Sequence, residues 1–157
     1  MTRAPLNATL PNLDTDHDAD QGRTLKKNGA FSRLENDDKI QRFELDPAGP
    51  IVLDGRAELV LYAAAEDLKN DDVITAVALV DCPDDVGVCI VFDSVSIGFT
   101  GEVDRFSMLT FDFGDQSRTI DPSRHLELWI IVPNPSAHDM WIAYDTIGYE
   151  SVLRLDL

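Results

Sequence analysis

The chain has 157 residues, enough for one domain with a sizeable core, and 44% of them are hydrophobic, which argues against a disordered chain. Its 29 acidic residues against 13 lysines and arginines give a formal net charge of −16, so the surface repels nucleic-acid phosphates and anionic lipid. No apolar run reaches the roughly 18 residues of a membrane helix, so neither nucleic-acid binding nor membrane insertion is expected.

The first 38 residues differ in character from the rest of the chain. They are polar and irregular, with isolated apolar residues and no helical period. We predict that residues 1–38 form an irregular arm packed on a domain made of residues 39–157. The opening Met1–Pro5 lacks the apolar segment of a signal peptide.

From residue 39 onward, short apolar runs alternate with turn residues. They predict strands over 39–46, 51–53, 56–64, 73–81, 88–97, 105–113, 125–132, 139–145 and 151–157. The stretch 73–80 is apolar almost throughout, which predicts a central strand covered on both faces.

The strand pattern predicts the fold class. Parallel βαβ folds need crossover helices, and the sequence offers no convincing helix. We therefore predict an all-β, antiparallel two-sheet β-sandwich, with jelly-roll connections as the most economical solution. An immunoglobulin-like sandwich is the alternative, although its Cys…Trp…Cys spacing is absent.

Aspartates alternate within the arm, at Asp14, Asp16, Asp18 and Asp20. Calcium takes about six to eight oxygen ligands, and alternating carboxylates in a curved loop can point several inward. The loop is not an EF-hand, because Ala19 and Leu25 stand where that motif has glycine and a bidentate glutamate. We predict a Ca²⁺ site whose remaining ligands come from elsewhere, with Asp139 and Asp145 as candidates. A merely solvated acidic loop is the alternative, and it carries the cost of like-charge repulsion.

The two cysteines, Cys82 and Cys89, flank a loop that would bring two strand ends within disulfide reach. We predict a disulfide, with two separate thiols as the alternative. A zinc site is not expected, because neither histidine nor a second cysteine pair lies nearby in the sequence. A disulfide would place the protein in an oxidising setting, so we predict an extracellular or cell-surface location.

Four aromatic residues are candidates for sugar platforms, namely Trp129, Trp141, Tyr144 and Tyr149. By strand alternation, Trp129 shares a face with Glu127, and Trp141 shares a face with Ala143. The alternative is that all four pack in the core or at its rim.

Two segments carry a family resemblance: Leu10-Pro-Asn-Leu-Asp-Thr-Asp-His-Asp-Ala-Asp20, and Asp139-Met-Trp-Ile-Ala-Tyr-Asp-Thr146 followed by Tyr149-Glu-Ser-Val-Leu153. Together they resemble a galactose-binding-like jelly-roll module of secreted and cell-surface bacterial proteins. More loosely, they resemble the C-terminal domain of X-Pro dipeptidyl peptidases. The resemblance implies a structural calcium that joins the N-terminal loop to the last strands, and binding of sugars or partners. It does not identify a ligand.

These features favour a non-catalytic, extracellular, calcium-stabilised binding or adhesion module, with a glycan or a cell-surface protein as partner. The alternative is a structural subunit or accessory domain of a surface layer, appendage or virion. A glycoside-active enzyme is the third hypothesis, although the chain lacks G-x-S-x-G and H-E-x-x-H motifs. His125 and His138 have serine or aspartate neighbours, as a sequence this rich in acids produces by chance.

The aspartate loop leads to a direct test. We expect added calcium to raise the melting temperature of metal-stripped protein, because the ion relieves repulsion among the carboxylates. EDTA should reverse the gain, and thermal unfolding followed by circular dichroism measures both steps. A melting temperature that neither calcium nor EDTA alters would remove the calcium hypothesis.

Overall fold

The computed structural model describes residues 2–5, 30–34, 40–45, 50–65, 74–99, 105–133, 136, 140–144 and 151–157. Within these residues the chain forms ten strands and no helix. They are β1 (Thr2–Pro5), β2 (Ala30–Leu34), β3 (Ile40–Leu45), β4 (Ile51–Ala65), β5 (Ile74–Pro83), β6 (Ile90–Gly98), β7 (Ser107–Ile120), β8 (Arg124–Ile131), β9 (Met140–Tyr144) and β10 (Val152–Leu155). No helix able to span a bilayer occurs among the described residues.

The strands form two antiparallel sheets that do not close into a barrel, so the predicted β-sandwich is confirmed. One sheet has six strands and includes the order β2-β9-β4-β7, while the other has four strands in the order β3-β8-β5-β6. Successive strands from β2 to β9 pass from one sheet to the other, except in the β5–β6 hairpin. This arrangement is a jelly roll, and β10 and β1 extend its larger sheet.

Strand β4 is the centre of the six-stranded sheet. Strand β7 pairs with one edge of β4, and β10 and β9 follow one another along the opposite edge. Buried Ser151 fills the junction between these two partners: its hydroxyl accepts from the Tyr62 amide at 3.0 Å and donates to the Ala143 carbonyl at 2.5 Å. The backbone groups at the junction therefore remain hydrogen-bonded although the partner strand changes.

The hydrophobic core lies between the two sheets. Strand β8 contributes Leu126, Leu128 and Ile130, which are almost fully buried. Strand β5 is an interior strand of its sheet, with Val77 and Leu79 in the core. Its opposite face is also buried, with Ala78, Val80 and Cys82 in a second cluster. The predicted central strand covered on both faces is thus confirmed.

The two strands predicted at 51–53 and 56–64 form one continuous strand, β4. Gly55 lies in its middle with a φ of 136°, a conformation that favours glycine. Asp156 lies against this part of the strand: the Asp54 amide donates to the Asp156 carbonyl at 3.2 Å, and the Asp156 amide donates to the Arg56 carbonyl at 3.0 Å. Glycine therefore acts inside the strand as a point of close approach rather than as a turn.

Strand β7 likewise continues beyond residue 113, where the sequence prediction ends. Gly114 has a φ of 70°, and Phe113 is the extra residue between the pairs Ala57–Gly114 and Glu58–Asp112. This β-bulge keeps the pairing intact on both of its sides. Of the predicted arm, residues 1–38, the described segments are β1 and β2, and both belong to the six-stranded sheet.

The close approach at Gly55 can be tested by substitution. A Cβ there would lie 2.9 Å from the Asp156 side chain, and the positive φ adds backbone strain. We expect Gly55→Ala to lower the free energy of unfolding by about 1–3 kcal/mol in urea denaturation.

Gly98→Ala is the matched control, because a Cβ at that position meets nothing within 4 Å. Its unfolding free energy should change by no more than about 0.5 kcal/mol. Equal effects of the two substitutions would contradict the proposed role of Gly55.

Candidate ligand-binding face

The outer face of the four-stranded sheet carries an unusual group of side chains. Because alternate residues of β8 fill the core, His125, Glu127 and Trp129 lie on the opposite face. In the adjacent strand β3, Glu44 pairs in register with Glu127, and Arg42 pairs with Trp129. We call these five residues the outer-face cluster: Arg42, Glu44, His125, Glu127 and Trp129.

Trp129 is partly exposed and is held in a fixed orientation. Its ring packs on the buried cluster that contains Val80 and Cys82, and the Arg42 guanidinium lies 4.9 Å from the ring centroid. Its indole Nε1 donates a hydrogen bond to Glu127 Oε2. The indole ring therefore packs against the sheet and also contacts Arg42, whose side chain is exposed.

Glu127 and His125 form the acidic centre of the cluster. His125 Nε2 lies 3.0 Å from Glu127 Oε1 and 3.9 Å from Glu44 Oε2. On the other side of the ring, Nδ1 lies 2.9 Å from Asp84 Oδ1. The side chains of Glu44, His125 and Glu127 are 13%, 10% and 6% exposed, whereas that of Asp84 is 49% exposed. One imidazole is thus surrounded by three carboxylates.

The charge on His125 reflects these neighbours. Burial opposes the positive charge, but hydrogen bonds with Asp84 and Glu127 and the negative charge of Glu44 outweigh it, so the pKa of His125 is raised above its usual value. The protonated ring can donate to a carboxylate from each nitrogen.

The cluster also has the composition of a metal site. The ligand atoms of Glu44, His125 and Glu127 all lie within 4.8 Å of one another. A second group within this distance comprises Cys82, Cys89 and Glu127, but its two sulfurs are joined in a disulfide. In the oxidised protein, Cys82 and Cys89 therefore cannot bind a metal as thiolates.

The predicted disulfide between Cys82 and Cys89 is confirmed, with the two Cα atoms 4.2 Å apart. It closes the loop between β5 and β6, which also contains Asp84. Because Cys82 lies beneath Trp129, the disulfide ties this loop to the outer face.

The structure places the other predicted site residues as follows. Trp141 is fully buried and packs with Ala64 and Ala143, so the predicted shared face of Trp141 and Ala143 is confirmed. The backbone of Tyr144 belongs to β9 and pairs with Ala30. Outside the described residues lie Tyr149 and the predicted calcium ligands Asp14, Asp16, Asp18, Asp20, Asp139 and Asp145.

Sequence reasoning placed Glu127 on the same face as Trp129 but did not select Arg42, Glu44, His125 or Glu127 as site residues. The available signal was the spacing of His125, Glu127 and Trp129 at every second position of one strand. The contributions of Arg42 and Glu44 depend on strand pairing, for which the sequence carries no local signal.

A different acidic centre lies between the two sheets. Asp81 Oδ2 accepts from Arg118 Nη2 at 2.7 Å, and Asp81 Oδ1 accepts from Arg124 Nε at 2.5 Å. Burial by itself would raise the pKa of Asp81, but the hydrogen bonds and charges of Arg118 and Arg124 outweigh it and hold the pKa below its usual value. Two arginines thus bind the Asp81 carboxylate, whereas on the outer face Glu44 and Glu127 share one imidazole.

Solved structures share this fold at low sequence identity. An aminopeptidase from the marine sediment archaeon Thaumarchaeota archaeon aligns with a TM-score of 0.68 and 11% identity, over 99% of this chain and 37% of that protein. A CocE/NonD family hydrolase from Staphylococcus aureus aligns with a TM-score of 0.67 and 11% identity, over 98% and 36%. The chain spans about a third of the length of these hydrolases.

A xylan-binding module, CBM15, aligns with a TM-score of 0.51 and 9% identity, over 98% of this chain and 96% of that module. No protein-family model matches the chain. A search of curated proteins also finds no match. The resemblance to the C-terminal domains of X-Pro-type hydrolases is confirmed as a similarity of fold.

The buried ion cluster of Asp81 predicts a specific response to acid. Because the pKa of Asp81 is lowered by folding, its contribution to stability is present above the ordinary carboxyl pKa of about 3.9 and is lost as the pH falls through the folded value. We expect Asp81→Asn to lower the free energy of unfolding by about 1–3 kcal/mol at pH 7. The difference in unfolding free energy between Asp81→Asn and the unsubstituted protein should become smaller below about pH 4, as measured by urea denaturation.

Asp112→Asn is the control, because Asp112 pairs with Arg56 at the same 2.7 Å but both side chains are about half exposed. Its effect should be much smaller, since solvent screens an exposed pair. A loss for Asp81→Asn that is independent of pH would show that packing rather than charge accounts for it.

Proposed function

We propose that this chain is a non-catalytic β-sandwich module that binds a glycan through the outer-face cluster. The observation that carries the proposal is the arrangement around Trp129, a partly exposed indole on a sheet face, oriented by Glu127 and contacted by the exposed Arg42. Planar polar groups beside an aromatic ring suit a ligand that is apolar on one side and rich in hydroxyls at its edges.

Each part of the arrangement has a role in such a complex. The ring of Trp129 offers an apolar platform for the C–H face of a sugar. Arg42 supplies several N–H donors, and Glu44 and Asp84 supply acceptors for hydroxyl groups. An exposed cation–π contact contributes about 0.5–1 kcal/mol, so moving the Arg42 guanidinium away from the Trp129 ring costs only this much. The guanidinium can therefore move from the indole to the ligand at little cost.

The fold supports this proposal at a coarse level. CBM15, which is described as a xylan-binding module, overlaps nearly all of this chain and nearly all of itself. Binding modules and hydrolase domains share the sandwich, so the argument for a glycan depends on the outer-face cluster and not on the fold.

The location and the calcium site belong to the same proposal. The Cys82–Cys89 disulfide supports an oxidising compartment, and hence an extracellular or cell-surface protein. The alternating aspartates of residues 14–20 support a stabilising Ca²⁺. An extracellular glycan-binding module of this kind would serve in adhesion to a glycan-bearing surface.

A glycan array followed by titration of the best ligand tests the proposal. We expect Trp129→Ala and Arg42→Ala each to weaken binding at least about tenfold, which corresponds to about 1.4 kcal/mol. Binding should also change the fluorescence of the unsubstituted protein, because Trp129 is partly exposed while Trp141 is fully buried.

Met108→Ala is the matched control, since Met108 is a large apolar side chain, 60% exposed, on the six-stranded sheet. Its glycan affinity should equal that of the unsubstituted protein. The proposal fails if no glycan binds with calcium present, or if a glycan binds equally well after both Trp129→Ala and Arg42→Ala.

A further inference from the structure

We propose that Glu44, His125 and Glu127 form a binding site for a divalent transition metal, with zinc as the ion that fits best. The site is made of residues other than those of the predicted calcium loop and does not depend on glycan binding. It joins strand β3 to strand β8 on the outer face.

The spacing of the three side chains suits a small metal ion. Zinc lies about 2.0–2.2 Å from nitrogen and carboxylate ligands, so neighbouring donors of a tetrahedral site are about 3.4 Å apart. The distances from His125 Nε2 to Glu127 Oε1 and to Glu44 Oε2, 3.0 and 3.9 Å, lie on either side of this value. Small rotations of side chains would therefore bring all three atoms onto one ion.

The imidazole is already oriented for ligation. Asp84 Oδ1 lies 2.9 Å from Nδ1, where it can accept a hydrogen bond from that nitrogen. In the neutral ring this hydrogen bond places the lone pair on Nε2, which faces both glutamates. Metal-bound histidines are commonly held in this way by a carboxylate on the remote nitrogen.

The local charge also favours a dication. Asp84, Glu44 and Glu127 bring three negative charges to one imidazole, and two of these carboxylates are largely buried. Among the described residues, Arg42 lies over Trp129 and Arg124 binds Asp81. A divalent ion in place of the ring proton supplies one further positive charge.

The donor set selects the class of metal. One imidazole and two carboxylates suit zinc and its neighbours among the first-row metals, whereas calcium prefers six or more oxygen ligands. Three protein ligands leave at least one position for water or for a ligand oxygen. Because the second oxygen of Glu127 binds the Trp129 indole, a metal held by Glu127 would lie close to the proposed glycan platform.

Isothermal titration of metal-stripped, calcium-saturated protein with zinc chloride tests the inference. The chain has three histidines, His17, His125 and His138, so each can be replaced by glutamine in turn. We expect one zinc per chain in the unsubstituted protein, no zinc at this site after His125→Gln or Glu44→Gln, and binding about ten- to hundredfold weaker after Asp84→Asn.

His17→Gln and His138→Gln should retain full affinity, as should Glu58→Gln, which removes a comparably buried carboxylate from the other sheet. Circular dichroism confirms that each variant is folded. The inference is overturned if the unsubstituted protein binds no zinc, or if zinc binding survives both His125→Gln and Glu44→Gln. Because no glycan is present in this assay, its failure leaves the glycan proposal unaffected.

Discussion

The burial of one side of strand β8 is the constraint on which the rest of the structure depends. Leu126, Leu128 and Ile130 fill the core. Because side chains alternate along a strand, His125, Glu127 and Trp129 must then lie on the outer face. A slip of one residue would place an imidazole and a carboxylate in the core, where burying charge without partners costs several kcal/mol. The core thus sets the register of β8, and the register in turn sets which β3 side chains meet Glu127 and Trp129.

Two acidic centres on opposite faces of the same sheet show how differently buried charge can be compensated. Between the sheets, Asp81 is bound by Arg118 and Arg124, so two positive charges of the protein face its single negative charge. On the outer face, Glu127 has an indole and an imidazole as partners, and the imidazole is shared with Glu44. The first arrangement stabilises the fold, whereas the second is the one to which we propose that a glycan and a metal ion bind.

Trp129 connects the two proposals made for the outer face. Its ring is the platform proposed for a glycan, and its Nε1 fixes one oxygen of Glu127, whose other oxygen faces His125. The proposed metal and the proposed glycan would therefore bind groups that are joined by the hydrogen bond between Glu127 and Trp129. The disulfide beneath the indole restrains the loop that carries Asp84, so the whole face is supported by covalent and hydrogen-bonded contacts.

Local pattern in the sequence determined the fold class, most of the strands, the disulfide and the shared face of Glu127 and Trp129, because strand alternation and short loop closure are properties of neighbouring residues. The tertiary structure alone decided that Gly55 continues a strand where the sequence predicted an interruption, since this depends on the approach of Asp156. It alone also brought Glu44 to His125, which lies 81 positions away (125 minus 44). Pairing between distant strands follows from the packing of the whole core, and no local signal encodes it.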